Sequence, residues 1–136
     1  MESKTKHLEM IQGIITRLAH CSFLLKGWSV ILISALFALA VKDTRIYFIY
    51  LAYFPAISFW GLDGYYLRQE KLFRALYDRV RKMNEADIDF SMDTSVVSEK
   101  VDCWLCVALS KTLIAFHGTI IFTIIVVMSI VIYLMK

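Results

Sequence analysis

Proline, glycine and cysteine are scarce in this sequence. Its 136 residues include one proline, five glycines and three cysteines. So little proline and glycine excludes collagen-like repeats and flexible linkers, and three cysteines are too few for a disulfide scaffold. Hydrophobic residues make up 59% of the chain, which excludes a disordered protein.

The hydrophobic residues are concentrated in three long stretches, 23–41, 46–62 and 112–135. A helix that crosses a bilayer needs about 20 apolar residues. The second and third stretches carry no charge, and Lys26 in the first can extend its ammonium to the head groups. Because backbone groups cannot bond to water inside a bilayer, each stretch should be helical. The sequence therefore predicts an all-α integral membrane protein that forms one membrane domain with three transmembrane helices.

Basic residues are distributed unequally around these stretches. All but three of the 15 Lys and Arg residues lie in residues 1–26 or 63–111, and the exceptions are Lys42, Arg45 and Lys136. Cytoplasmic flanks of membrane helices are enriched in Lys and Arg. We therefore expect a cytoplasmic N-terminus, a cytoplasmic region 63–111 and a C-terminus on the opposite side. The short connection from Lys42 to Arg45 predicts an antiparallel hairpin of the first two spans.

The predicted cytoplasmic parts also show helical periodicity. Residues 1–22 carry apolar residues every three or four positions, which predicts an amphipathic helix that packs on other helices or lies on the membrane surface. The second span is expected to continue as a helical extension to about Lys82. Its near-heptad stripe from Leu62 to Val80 is typical of a packed seam within one chain or between copies. Residues 88–93 alternate apolar and polar side chains, which indicates an extended segment.

Six Lys and Arg residues follow the second apolar stretch, between residues 68 and 82. Clustered cations bind phosphates and gain affinity by releasing counterions. The run is therefore a candidate site for the phosphates of a nucleic acid. Basic flanks are common beside membrane helices in any case, so a purely topological role stays open. The six are Arg68, Lys71, Arg74, Arg79, Arg81 and Lys82.

Polar residues interrupt the third stretch. Thr112, Thr119 and Thr123 share one helical face, and His117 lies in the same segment. Intramembrane polar groups often face a bundle interior or a water-filled path, so these four are candidate pore-lining residues. Two alternatives stay open: threonine hydroxyls can bond to the carbonyl one turn back, and His117 can bond a neighbouring helix.

No residues point to catalysis or to a metal. Cys103 and Cys106 form a CxxC pair, but a zinc site needs four ligands and a redox role would need a thioredoxin-like context. We expect these cysteines to be small side chains near the membrane interface, and Asp63 to be an interface residue. Without a glycine-rich phosphate loop or a nucleophile elbow, neither an enzyme nor a cofactor site is expected.

Five strings cover nearly the whole chain and carry a resemblance. They are KHLEMIQGIITRL, FLLKGWSVILISALFALAVKD, FWGLDGYYLRQEKLFRALYDRVRK, DFSMDT and SKTLIAFHG. Together they resemble a family of small bacterial inner-membrane proteins that includes the channel effectors of the Hailong anti-phage defence system.

The resemblance implies a multi-pass, homo-oligomeric channel of the bacterial inner membrane, for example a tetramer, with a periplasmic C-terminus. It also implies a partner nucleotidyltransferase whose DNA oligomer holds the channel shut. Phage nucleases remove that oligomer, and the open channel depolarises the cell. The cations from Arg68 to Lys82 would be the natural ligand site. The alternative from another class is a non-conducting membrane-anchored adaptor for a soluble partner.

Overall fold

The chain is all-helical in the computed structural model, which describes residues 1–43 and 45–136. This confirms that the chain is all-α, whereas the three spans and the homo-oligomeric assembly stay predictions. The predicted turn at 42–45 includes Thr44, which lies outside the described residues. The α-helices are α1 (Glu2–Asp43), α2 (Tyr47–Lys82), α3 (Trp104–Ala108) and α4 (Lys111–Leu134), and two 3₁₀ turns at Glu85–Asp87 and Ser95–Lys100 precede α3.

The longest helix, α1, joins the predicted amphipathic segment and the first apolar stretch without a break. It has 42 residues. At 1.5 Å per residue it is roughly 60 Å long, about twice the thickness of the hydrocarbon region of a bilayer. One half can therefore cross a membrane while the other half extends beyond it.

Two separate apolar cores hold α1 antiparallel to α2. Far from the α1–α2 connection lies the distal core, where Leu76 and Val80 of the near-heptad stripe of α2 are buried within the chain. Near the connection lies the proximal core, which also includes α4. The distal core consists of Ile11, Ile15, Leu76, Val80 and Val97. The proximal core consists of Ile33, Ala40, Ile49, Ala52, Ala56 and Ile124.

Two helices, α1 and α4, are long and apolar enough to cross a membrane. Both expose large apolar side chains, including Trp28, Ile31 and Phe122. These helices indicate a membrane location, in agreement with two of the three predicted spans. The predicted span at 46–62, in the first half of α2, stays a prediction.

Residues 83–103 return along α2 towards its middle. His7 Nε2 on α1 lies 3.0 Å from the carbonyl oxygen of Ser91. Further along, Arg68 Nε donates to the carbonyl oxygen of Asp102 at 3.1 Å. The extended part of this segment forms no strand in the described part of the chain. The returning segment brings α3 and the start of α4 against the middle of α2.

The close packing of α3 against α2 depends on Gly64. A Cβ atom at Gly64 would lie only 2.9 Å from the Cβ of Ala108. Two indole N–H groups fix this contact: Trp60 donates to the carbonyl of Ala108 at 2.8 Å, and Trp104 donates to the carbonyl of Gly61 at 3.0 Å. We call these five residues the α2–α3 clasp.

The clasp predicts that Gly64→Ala destabilises the protein. The added methyl group must displace α3, which we expect to cost about 1–3 kcal/mol. Gly27→Ala is the matched control, because a Cβ there meets nothing within 4 Å, and alanine should stabilise the helix by about 0.5–1 kcal/mol. Unfolding in detergent measures both effects. Equal stability of the two variants would contradict the close packing of α3 against α2.

Candidate functional site

Asp63 lies on α2 between the proximal and distal cores, and its side chain is fully buried. The structure thus places Asp63 inside the helix packing, and its expected position at the membrane interface stays a prediction. A buried carboxylate loses its hydration, which costs several kcal/mol unless hydrogen bonds and an opposite charge replace the water. Its neighbours must therefore supply donors.

Donors reach Asp63 from both neighbouring helices. From α1, Lys26 Nζ lies 2.5 Å from Oδ2, and Ser22 Oγ donates to Oδ1. From α4, His117 Nε2 lies 2.8 Å from Oδ2. Lys26 also donates to Ser22 Oγ at 2.9 Å. We call Ser22, Lys26, Asp63 and His117 the Asp63 cluster, and it connects α1, α2 and α4.

Aromatic rings shield one side of this cluster. The Trp60 ring lies parallel to His117, with centroids 5.9 Å apart, and Phe116 meets the same imidazole edge-on at 5.0 Å. Lys26 Nζ lies 5.8 Å from the centroid of Phe116, within range of a cation–π interaction. The side chain of His117 is 1% exposed and that of Lys26 is 28% exposed. Lys26 therefore links the cluster to water or to lipid head groups.

One nitrogen in the cluster has no partner. His117 Nδ1 is buried and makes no hydrogen bond within the described residues. With the proton on Nε2, the imidazole donates to Asp63 and leaves Nδ1 as a free acceptor. The cluster therefore contains a free hydrogen-bond acceptor next to a carboxylate and an ammonium group.

The four predicted pore-lining residues do not lie on one face. Thr112, Thr119 and Thr123 are exposed on α4, whereas His117 is buried against Asp63. His117 bonds to a neighbouring helix, which was one of the two alternatives to pore lining. It therefore lies off the threonine face, which we define as Thr112, Thr119 and Thr123. His117 is held there because it supplies the third donor to the buried carboxylate of Asp63. The hydroxyls of Thr119 and Thr123 bond to carbonyls one turn back in α4.

The six predicted ligand-binding cations have different surroundings. Arg74 binds Glu70 through Nε and Nη2, at 3.0 and 2.7 Å. Arg81 pairs with Asp78 at 3.3 Å, and Arg68 is bonded to a carbonyl of the returning segment. The remaining three have no acidic partner among the described residues. They are Lys71, Arg79 and Lys82.

Two of these unpaired cations line an open groove. Arg79 and Lys82 meet Lys100 of the returning segment around a space of about 460 Å³, with Ala75 and Asp78 on the same wall. We call it the basic groove. Sequence reasoning missed Lys100, because its approach depends on the direction of the returning segment. Since Asp78 already pairs with Arg81, the groove has a net positive charge that suits phosphate.

Comparisons of the chain with protein-family models, with curated proteins and with solved structures gave no match. In residues 1–43 and 45–136, no three His, Cys, Asp or Glu side chains come together as a potential metal site. The function is therefore inferred from the Asp63 cluster, the threonine face and the basic groove.

The Asp63 cluster predicts strong coupling between Lys26 and Asp63. Lys26→Met and Asp63→Asn should each cost about 2–4 kcal/mol of stability, because each leaves a charged partner in a largely buried site. The double variant should lose at least about 1 kcal/mol less than the sum of the two single losses. Arg17→Met, at an exposed position of α1, is the control for removal of a cation. Additive losses in detergent unfolding would show that the pair does not act as a unit.

Proposed function

We propose that this protein is a homo-oligomeric channel of the bacterial inner membrane, controlled by a nucleic-acid or nucleotide ligand at its cytoplasmic face. The observation that carries the proposal is the exposed threonine face on α4, a helix that is otherwise apolar and long enough to cross a membrane. Intramembrane polar groups often face a bundle interior or a water-filled path, and the three threonines present such groups on one outer side of α4. The resemblance to Hailong effectors supports a role in anti-phage defence by depolarisation.

In the proposed arrangement, α1, the first half of α2 and α4 all cross the bilayer. The proximal core supports this, because it buries Ile33, Ile49 and Ile124 from the three helices against one another. The outward side of α2 carries Leu51, Phe54 and Ile57, which are exposed and apolar. Lipid would cover these side chains, and the Asp63 cluster would lie near the cytoplasmic head groups.

The pore would form only between copies. Three packed helices are too few to enclose a sizeable pore, so several chains must assemble around an axis. Thr119, Thr123 and Ser34 of α1 supply the polar groups of an open groove of about 260 Å³. Its other walls are the apolar side chains of Val30, Ile33, Phe37 and Ile120. A hydroxyl that donates to its own helix can still accept a bond from water. Threonine faces from several copies would therefore provide a hydrated path.

The basic groove is the proposed ligand site. Arg68 and Arg79 are eleven residues apart, as are Lys71 and Lys82. Eleven residues make about three helical turns, so these four cations form two rows along one side of α2. Such a track suits a phosphodiester backbone better than a single phosphate. We propose a DNA oligomer made by a partner nucleotidyltransferase as the ligand, with the channel shut when it is bound.

The adaptor alternative receives less support from the structure. In that alternative, the stripe from Leu62 to Val80 and the amphipathic N-terminal helix dock a soluble partner. Leu76 and Val80 of the stripe are instead buried in the distal core together with Ile11 and Ile15 of the N-terminal helix, although Leu62 is exposed. Part of that docking surface is therefore already occupied within the chain.

The channel proposal predicts ion leakage from liposomes that contain the purified protein. Thr119→Leu/Thr123→Leu should reduce the flux at least about tenfold, because an apolar lining promotes dewetting. Ile114→Leu/Ile125→Leu, which changes exposed apolar positions elsewhere on α4, is the matched control and should leave the flux unchanged. Liposomes that stay tight with and without an oligonucleotide would contradict the proposal.

The ligand proposal predicts that the positions of the cations affect oligonucleotide binding more than the net charge of the protein does. Arg79→Gln/Lys82→Gln should weaken binding of a fluorescent single-stranded oligodeoxynucleotide and lower the salt slope by about 0.7 for each phosphate that the variant no longer neutralises. Arg74→Gln/Arg81→Gln removes the same charge from cations that already have acidic partners, and it should have the smaller effect. Equally weakened binding in the two double variants would exclude the groove as the site.

A further inference from the structure

Cys103 and Cys106 are exposed thiols in contact with each other. Their Sγ atoms are 2.8 Å apart, and both residues are free and exposed. The backbone N–H of Cys106 also points to Cys103 Sγ, at 3.4 Å. The third cysteine, Cys21, lies on α1 and is half-buried. The CxxC pair therefore forms a distinct dithiol, separate from the Asp63 cluster and the basic groove.

The backbone that carries these thiols is fixed on both sides. Trp104, which lies between them in sequence, donates to the carbonyl of Gly61 in α2. Arg68 donates to the carbonyl of Asp102, directly before Cys103. These bonds hold the turn against α2 while the sulfur atoms face outward. Because the two sulfurs are already close, ring closure requires little loss of conformational freedom.

The two thiols differ in their electrostatic surroundings. Hydrogen bonds from the thiol and the backbone N–H of Cys106 lower the pKa of Cys103. The same hydrogen bond to Cys103, together with its charge, raises the pKa of Cys106. Because the thiolate is the nucleophile, Cys103 is suited to attack and Cys106 to resolve a mixed disulfide.

We propose that Cys103 and Cys106 form a thiol–disulfide exchange site for small disulfides of the glutathione type. The Cys103 thiolate attacks one sulfur of oxidised glutathione, which forms a mixed disulfide and releases one glutathione thiolate. Cys106 then loses its proton to water and attacks the Cys103 sulfur, which releases the second glutathione and leaves the Cys103–Cys106 disulfide. Two protein thiols are oxidised while one glutathione disulfide is reduced. This site does not depend on the channel proposal.

The experiment treats the detergent-solubilised full chain with oxidised glutathione, alkylates the remaining thiols and identifies each cysteine by mass spectrometry. The wild type and Cys21→Ser should both form the Cys103–Cys106 disulfide without a lasting glutathione adduct. Cys106→Ser should keep one glutathione on Cys103. Cys103→Ser should react several-fold more slowly at Cys106.

Three results would overturn the proposal. The first is a wild-type protein that stays reduced at oxidised glutathione concentrations that modify free cysteine. The second is a wild type that accumulates separate glutathione adducts on Cys103 and Cys106 without forming their disulfide. The third is that Cys103→Ser and Cys106→Ser react with oxidised glutathione at equal rates. That result would contradict the assignment of Cys103 as the attacking thiol and Cys106 as the resolving thiol. The wild-type measurement tests the site even if a serine variant folds poorly.

Discussion

A buried carboxylate on α2 requires donors from both neighbouring helices, and this requirement ties the long helices together. Lipid tails are as apolar as leucine, so apolar contacts between membrane helices differ little in energy from one register to another. Asp63 supplies that preference, since it binds Lys26 and Ser22 on α1 and His117 on α4. A slip of α1 by one turn, about 5.4 Å, would break both of its bonds to Asp63.

The Asp63 cluster also separates two structural regions of the molecule. On one side lie the proximal core, the threonine face and the apolar surfaces that lipid would cover. On the other side lie the distal core, the returning segment and the basic groove. Both regions share α2, which carries Arg79, Lys82 and Asp63. A ligand that shifts the outer half of α2 would therefore act on the cluster through a rigid helix, which is the type of element that transmits coupling between distant sites.

Local patterns predicted the helices, but they could not predict the central contacts. Long apolar runs and three-to-four-residue spacing are properties of neighbouring residues, and the fold class followed from them. Ser22 lies 41 residues from Asp63 in the sequence, and His117 lies 54 residues from it. No short-range periodicity can indicate partners at such distances. The sequence did contain one unused signal: His117 precedes Thr119 by two residues and so cannot share its helical face. The basic groove was only partly predictable, because Lys100 reaches it through the returning segment.

In the proposed arrangement, three segments cross the membrane and the Asp63 cluster lies near the cytoplasmic surface. Cysteine accessibility tests it most directly, in a Cys21→Ser/Cys103→Ser/Cys106→Ser background with single replacements Lys42→Cys, Asp78→Cys and Lys136→Cys. In intact spheroplasts, an impermeant maleimide should label positions 42 and 136 at once and position 78 only after permeabilisation. Labelling of positions 42 and 78 from the same side would show that α2 does not cross, and would contradict the account.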